Sequence, residues 1–151
     1  MKPAINYFFE DIPKFKHGLP TKKWLILCLS KEKKTAGVLN FIFCSDKYLR
    51  ALNIKYLKRA YLTDVLAFPG PESDFFKIRP YSGVSGDVFI SVERVKENKK
   101  KYNTIFADEL KRVMIHGCLH LIGFKDESKA EKKIMREKEN IYIKLKTNSH
   151  V

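Results

Sequence analysis

Two histidines near the C-terminal end of the chain have the spacing of metal ligands. His116 and His120 are four residues apart in the stretch Val113–Asp126, whose periodicity is helical. Four residues turn through about 400° on an α-helix, so both imidazoles lie on one face. Gly123 favours a left-handed helix end, and Asp126 follows the turn. Two imidazoles and a loop carboxylate match a catalytic zinc site that keeps its fourth position open.

The residues next to the histidines help to distinguish a metal site from two alternatives: histidines that are only partly buried polar residues, and a peptidase site. The same spacing also occurs in basic helices whose histidines are only partly buried polar residues. Here Leu119 and Ile122 flank His120, so an unpaired imidazole would be costly. Cys118 lies about 160–200° around the helix from the histidines and is expected in the core. Gly117 stands where H-E-x-x-H peptidases carry their general base, which argues against peptide hydrolysis.

The chain is strongly basic. It has 30 Lys and Arg against 17 Asp and Glu, which gives a net charge of +13. This charge favours a polyanionic partner, with nucleic acid ahead of an anionic membrane, although a general solubility role is the alternative. Phosphate contacts of this kind give affinity without sequence preference. The basic residues cluster at 31–34, 55–59, 96–101 and 129–138.

Length and composition predict one cytoplasmic domain over residues 1–151. The 151 residues suffice for one hydrophobic core. No apolar run has the length of a bilayer span, and the N-terminus lacks the pattern of a secretory signal. The three cysteines, Cys28, Cys44 and Cys118, are an odd number at unrelated spacings. They do not suggest a disulfide framework and fit a reducing compartment.

The hydrophobic pattern predicts the element order β-α-β-α-β-β-α-α-α. This order implies an α/β (α+β) fold: a small mixed sheet of four strands packed with about five helices. The predicted strands are 4–9, 37–44, 63–68 and 86–91, and the predicted helices before the metal helix are 21–33, 45–58 and 93–101. Residues 69–80 are expected to form a loop.

The two C-terminal helices have clear start signals. Asn103 or Thr104 is predicted to cap the metal helix, and Ser128 with Glu131 forms a capping box for the final helix. Core stripes are predicted from the apolar spacing. They comprise Ile105, Phe106, Leu110, Val113 and Met114 in the metal helix, and Ile134, Ile141 and Leu145 in the final helix.

Several segments resemble one known family. Residues 116–124, HGCLHLIGF, resemble the H-G-x-L-H-L-x-G-[YF] signature of the YbeY endoribonucleases. Residues 52–56, 63–68 and 86–91 are similar to that family's L-N-x-x-Y, T-D-V-L-S-F and G-D-I-x-I-S segments. The resemblance implies that the metal helix lies against the sheet and that the strand at 63–68 lines a cleft.

The resemblance also implies a ligand set, with one change. The family signature ends in Asp-His, whose histidine is the third zinc ligand, and Asp126 occupies that position here. His116 and His120 are carried over directly, Asp126 replaces the third ligand, and Glu127 is the competing carboxylate. One Zn²⁺ per chain is expected, although two histidines and a carboxylate also suit iron or manganese. A carboxylate ligand leaves the centre with a net charge of about +1, so bound water would be less acidified.

The activity implied by the resemblance is single-strand-specific, metal-dependent cleavage of RNA. It includes maturation of the 3′ end of small-subunit ribosomal RNA and ribosome quality control, with no DNA specificity and no membrane partner. The family arginine after the tyrosine is replaced by Leu57. Arg59 and Lys58 are therefore candidate RNA-binding residues, with a solvated helix end as the alternative. The sequence assigns no general base.

Two other functions stay open. The first is a non-catalytic ribosome-assembly or RNA-binding factor stabilised by the metal, which the missing arginine favours. The second is a zinc peptidase-like hydrolase, which Gly117 and the positive charge disfavour.

Overall fold

A computed structural model describes residues 4–58, 63–70 and 83–147 of the chain. The described elements follow the predicted order β-α-β-α-β-β-α-α-α. They are β1 (Ala4–Glu10), α1 (Lys22–Lys31), β2 (Ala36–Cys44), α2 (Asp46–Leu52) with a π-helical turn (Asn53–Leu57), β3 (Val65–Pro69), β4 (Val84–Ser91), α3 (Val92–Tyr102), α4 (Phe106–Leu121) and α5 (Lys129–Ile143).

The strands form one mixed sheet in the order β1-β2-β4-β3. β1, β2 and β4 are parallel, and β3 is antiparallel to β4. The predicted mixed four-stranded sheet with about five helices is therefore confirmed. β2 lies inside the sheet. One face is fully buried, whereas the other face includes Val38, which is 40% exposed, and Asn40, whose side chain donates to Asp87. Phe41 and Phe43 of β2 enter the main core, whereas Cys44 belongs to a smaller cluster with Leu49 of α2.

Helix α4 lies on the sheet and belongs to the main core. Leu110, Val113 and Met114 of its predicted stripe are buried, but Ile105 is 61% exposed. The predicted caps are wrong, because Asn103 adopts a left-handed conformation at the end of α3 and Ile105 is the N-cap of α4. The Oγ1 atom of Thr104 instead donates to Glu109 Oε1 at 2.9 Å.

Helix α5 begins at the predicted capping box of Ser128 and Glu131. The predicted apolar face is wrong, since Ile134 and Ile141 are 48% and 59% exposed. Leu145, the third predicted position, is partly buried against the core. The helix instead buries a face on which Glu139 contacts His116 and the Tyr142 hydroxyl donates to Glu32. Its buried residues are Met135, Glu139 and Tyr142.

Three hydrogen bonds hold the end of α5 against α1 and its C-cap residue, Glu32. Trp24 Nε1 donates to the backbone oxygen of Tyr142 at 2.9 Å. Lys138 Nζ donates to Glu32 Oε2 at 2.8 Å, and the Tyr142 hydroxyl donates to the same carboxylate. These contacts hold the Glu139 face inward, because Glu139 and Tyr142 are three residues apart and lie on the same side of the helix.

The helix predicted over 45–58 is divided. Regular α2 ends at Leu52, a π-helical turn follows, and Lys58 closes it in a left-handed conformation with φ 54°. Ile54 and Tyr56 of the π-helical turn are 47% and 57% exposed. Most of the loop predicted over 69–80 lies outside the described residues. Among the helices that the structure describes, none is both long and apolar enough to cross a bilayer.

Candidate metal centre

The two histidines project from α4 beside the sheet. Their rings are 4.6 Å apart between centroids, and their Nε2 atoms are 2.9 Å apart. Gly117 brings the helix close to the strands: a Cβ atom there would lie 2.6 Å from Cγ1 of Val88. Such a contact is closer than carbon atoms tolerate, so glycine is needed for this packing. Position 117 therefore faces the core, and a glutamate there has no room to act as a general base.

A tight turn after α4 returns the chain to the histidines. Gly123 has φ 106°, as its predicted helix-ending role requires. The amides of Gly123 and Phe124 donate to the oxygens of His120 and Leu119, both at 3.0 Å. This is the Schellman arrangement of a helix C-terminus. It brings the Phe124 oxygen within 2.9 Å of His120 Nδ1.

Asp126 follows this turn and completes the cluster. Its Oδ2 atom lies 3.2 Å from His116 Nε2 and 3.5 Å from His120 Nε2. Three potential ligand atoms thus lie within 4.8 Å of one another. In a tetrahedral zinc site with bonds of about 2.0–2.1 Å, ligand atoms are about 3.3–3.4 Å apart. The three side chains therefore have the spacing that such an ion requires.

The hydrogen bonds of the Nδ1 atoms favour the tautomers in which the Nε2 atoms can bind a metal ion. His120 Nδ1 must donate its proton, because its partner is the carbonyl oxygen of Phe124. His116 Nδ1 faces the Glu139 carboxylate at 2.7 Å, which favours the same tautomer. Two lone pairs and the Asp126 carboxylate then converge on one point. Without a cation between them these atoms repel, so the donor set fits a metal ion.

Glu139 contacts a candidate ligand, and the sequence pattern did not identify it. It is only 5% exposed, and its second oxygen lies 3.1 Å from an Arg112 guanidinium nitrogen. Burial tends to lower the pKa of His116, but the hydrogen bond and charge of Glu139, with Asp64 and Asp126, raise the pKa overall. The sequence feature that could have indicated its burial is its spacing of four residues from Met135 and three from Tyr142, which places all three on one helix face.

Asp64 is the second residue that sequence reasoning did not assign. It precedes β3 and lines a cavity together with His116 and Asp126. Burial raises the pKa of the Asp64 carboxyl, although the charge of His116 opposes this effect. Its position within the T-D-V-L segment was visible in the sequence, but the approach of β3 to α4 was not.

The other predicted site residues lie elsewhere or outside the described chain. Glu127 is exposed and does not join the three-ligand cluster. Lys58 is exposed at the end of the π-helical turn, and Arg59 lies outside the described residues. Their predicted roles in RNA binding therefore stay predictions. Cys118 is fully buried in the core, as expected.

Three comparisons with known proteins agree. The family model described as Endoribonuclease YbeY matches residues 10–146. "Endoribonuclease YbeY" of Karelsulcia muelleri is 45% identical over 92% of this chain and 93% of its own length. The Flavobacterium johnsoniae protein of that name is 39% identical, over 93% and 96%.

A solved structure is similar as well. The solution structure of TM1509 from Thermotoga maritima has a TM-score of 0.59 at 30% identity, over 91% of this chain and 86% of that one. Residues 10–146, which the family model matches, contain every strand after β1 and all three side chains of the candidate metal centre. The chain belongs to the YbeY family of endoribonucleases.

Proposed function

We propose that this chain is a metal-dependent endoribonuclease that hydrolyses phosphodiester bonds in single-stranded RNA. His116, His120 and Asp126 would hold one divalent ion. The observation that carries the proposal is the convergence of their ligand atoms, at 2.9, 3.2 and 3.5 Å, with both Nδ1 atoms already engaged. A bound zinc ion would supply Lewis-acid chemistry, activating water and stabilising charge on the phosphoryl group. The same ligands suit iron or manganese.

RNA as the substrate is supported by the family and by charge. The curated relatives carry the name endoribonuclease, and the net charge of +13 suits a phosphate backbone. Within this proposal the substrate is ribosomal RNA at the 3′ end of the small-subunit molecule, with a part in ribosome quality control. The thiols of Cys28, Cys44 and Cys118 are free, in keeping with a cytoplasmic setting.

The surrounding residues have defined tasks in this proposal. Glu139 holds the Nδ1 proton of His116, and the Phe124 oxygen holds that of His120, so both rings present Nε2 to the ion. Asp64 lies in the cavity wall, where burial raises the pKa of its carboxyl. Such a group is suited to proton transfer during hydrolysis.

A second candidate function has one specific observation in its favour. Leu57, 43% exposed, occupies the position of the family arginine. Loss of that charge fits an RNA-binding assembly factor whose metal is structural. A peptidase-like hydrolase is disfavoured, because position 117 faces Val88 in the core.

The test combines metal analysis with cleavage of single-stranded RNA. The variants are His116→Ala, His120→Ala and Asp126→Ala, with the exposed His17→Ala and Glu127→Ala as matched controls. We expect all three ligand variants to lose metal and cleavage while they keep their circular-dichroism spectrum, and both controls to resemble the wild type.

Three outcomes would contradict parts of the proposal. Full metal content in Asp126→Ala means that the third ligand is elsewhere. A wild type that binds metal and RNA but never cuts supports the assembly factor. Unfolding of the metal-free wild type also favours a structural metal.

A further inference from the structure

A cavity of about 340 Å³ adjoins the metal centre between α3, α4 and α5. His116 and Asp126 contribute to its wall. Its volume lies near the lower end of the range of small-molecule sites, about 300–1,000 Å³, which suits one nucleotide. The cavity therefore connects the candidate metal centre with side chains of α3 and α5.

Two of the four acids in the cavity wall contact the Arg112 side chain. Glu139 contacts Arg112 at 3.1 Å and His116 at 2.7 Å. Glu109 accepts from Thr104 at 2.9 Å and lies 3.7 Å from Arg112. Arg112 thus offsets part of the negative charge that Glu109 and Glu139 would otherwise present to an anionic ligand.

Two cations also line the recess. Lys132 and Arg136 of α5 line the cavity and are exposed. They are four residues apart and so lie on one helix face. Within residues 4–58, 63–70 and 83–147, neither side chain forms an ion pair with a carboxylate. Their charges are available to bind phosphate oxygens.

An aromatic ring and an amide come from α3. Tyr102 lines the cavity and is 52% exposed. Exposed aromatic rings in basic grooves stack unpaired bases. Asn98, one helical turn earlier, adds an amide that can donate to and accept from a base edge.

We propose that this recess binds the nucleotide next to the scissile phosphate, with its base on Tyr102 and its backbone phosphates on Lys132 and Arg136. The inference rests on the proposed function. It gives single-strand preference a physical basis, because a base paired in a duplex has no free face to stack on Tyr102.

The first test measures binding of a short fluorescein-labelled single-stranded RNA to the metal-loaded protein by fluorescence anisotropy. Tyr102→Leu keeps apolar bulk without a ring, and Tyr102→Phe keeps the ring. We expect Tyr102→Leu to bind roughly 5–150-fold more weakly, the range for loss of one base–aromatic stack, and Tyr102→Phe to resemble the wild type. Metal content is measured in parallel and is expected to stay unchanged.

The second test measures the salt dependence of binding. The double variant Lys132→Gln with Arg136→Gln should lower the slope of log K against log salt by about 1.4, or about 0.7 for each phosphate contact on a single strand. Lys133→Gln, an exposed neighbour on α5 that does not line the cavity, is the matched control and should lower the slope less.

The outcomes separate this inference from the proposed function. If the wild type cuts RNA while Tyr102→Leu binds as tightly as the wild type, the recess is not the nucleotide site and the nuclease proposal survives. Equal losses in Tyr102→Phe and Tyr102→Leu would also overturn the stacking role. If the wild type neither binds nor cuts RNA, both proposals fail.

Discussion

Oε2 of Glu139 lies 2.7 Å from Nδ1 of His116, and this contact links α5 to the candidate metal centre. The carboxylate also contacts Arg112, which keeps its charge balanced in a buried position. Carboxylates in this position fix the tautomer of a ligating histidine and raise its basicity.

Replacing Glu139 with glutamine should weaken metal binding. The amide keeps the shape of the side chain but loses the charge, so metal affinity should fall by about 10–100-fold. Competition titration against a chromophoric chelator measures the change. Glu137→Gln, on the exposed side of α5, is the control. Equal affinity in both variants would mean that Glu139 serves the fold alone.

Replacing Asp126 with histidine should shift the pH dependence of cleavage. The family's usual histidine would raise the net charge of a zinc centre from about +1 to about +2, which lowers the pKa of bound water. The acidic limb of kcat/KM should therefore move to lower pH. Asp126→Glu keeps the charge and should keep the limb in place; a limb at the same pH in Asp126→His contradicts the argument.

Adding a methyl group at Gly117 should destabilise the protein. The new Cβ atom would lie 2.6 Å from Val88, and overpacking of this kind costs about 1–3 kcal/mol. Urea unfolding measures the loss. The double variant Gly117→Ala with Val88→Ala removes the clashing atoms, so its loss should be smaller than the sum of the two single losses. If the loss in the double variant equals the sum of the two single losses, then α4 shifts to relieve the clash and Gly117 is not required for this packing.

Replacing Glu32 with glutamine should reduce stability in a pH-dependent way. Burial tends to raise the pKa of Glu32, but Lys138 and Tyr142 lower it below the ordinary value. A lowered pKa in the folded state adds stability above the unfolded pKa, and this stability disappears as pH falls through the folded pKa.

We therefore expect Glu32→Gln to cost about 1 kcal/mol at neutral pH. The difference should shrink as the pH falls below about 4.3. Urea unfolding across that pH range measures it, with the exposed Glu97→Gln as control. A difference that stays constant with pH would rule out the ion pair as its source.

Local sequence patterns predicted the element order and the candidate ligands. Histidine spacing on one helix and the glycine after it are short-range features, so His116, His120 and Asp126 could be proposed as ligands without tertiary contacts. Burial of Leu110 and Met114 also followed from helical periodicity.

The missed features depend on partners distant in sequence. The spacing of Ile134 and Ile141 indicated one face of α5, but ion pairs and hydrogen bonds oriented the helix differently. Glu139 is buried because Arg112 and His116 satisfy it, and these residues lie on another helix. No periodicity of apolar residues contains that information.

The contact between position 117 and the sheet also makes peptidase activity difficult to acquire by substitution in this fold. Peptidases of the H-E-x-x-H type place their catalytic glutamate directly after the first histidine. Here that position meets Val88 and Val65, so a glutamate would point into the core rather than toward water at the ion. A single codon change therefore does not lead from this helix to peptidase chemistry. The two activities are separated by the packing of a helix on a sheet, even where their ligand sets are alike.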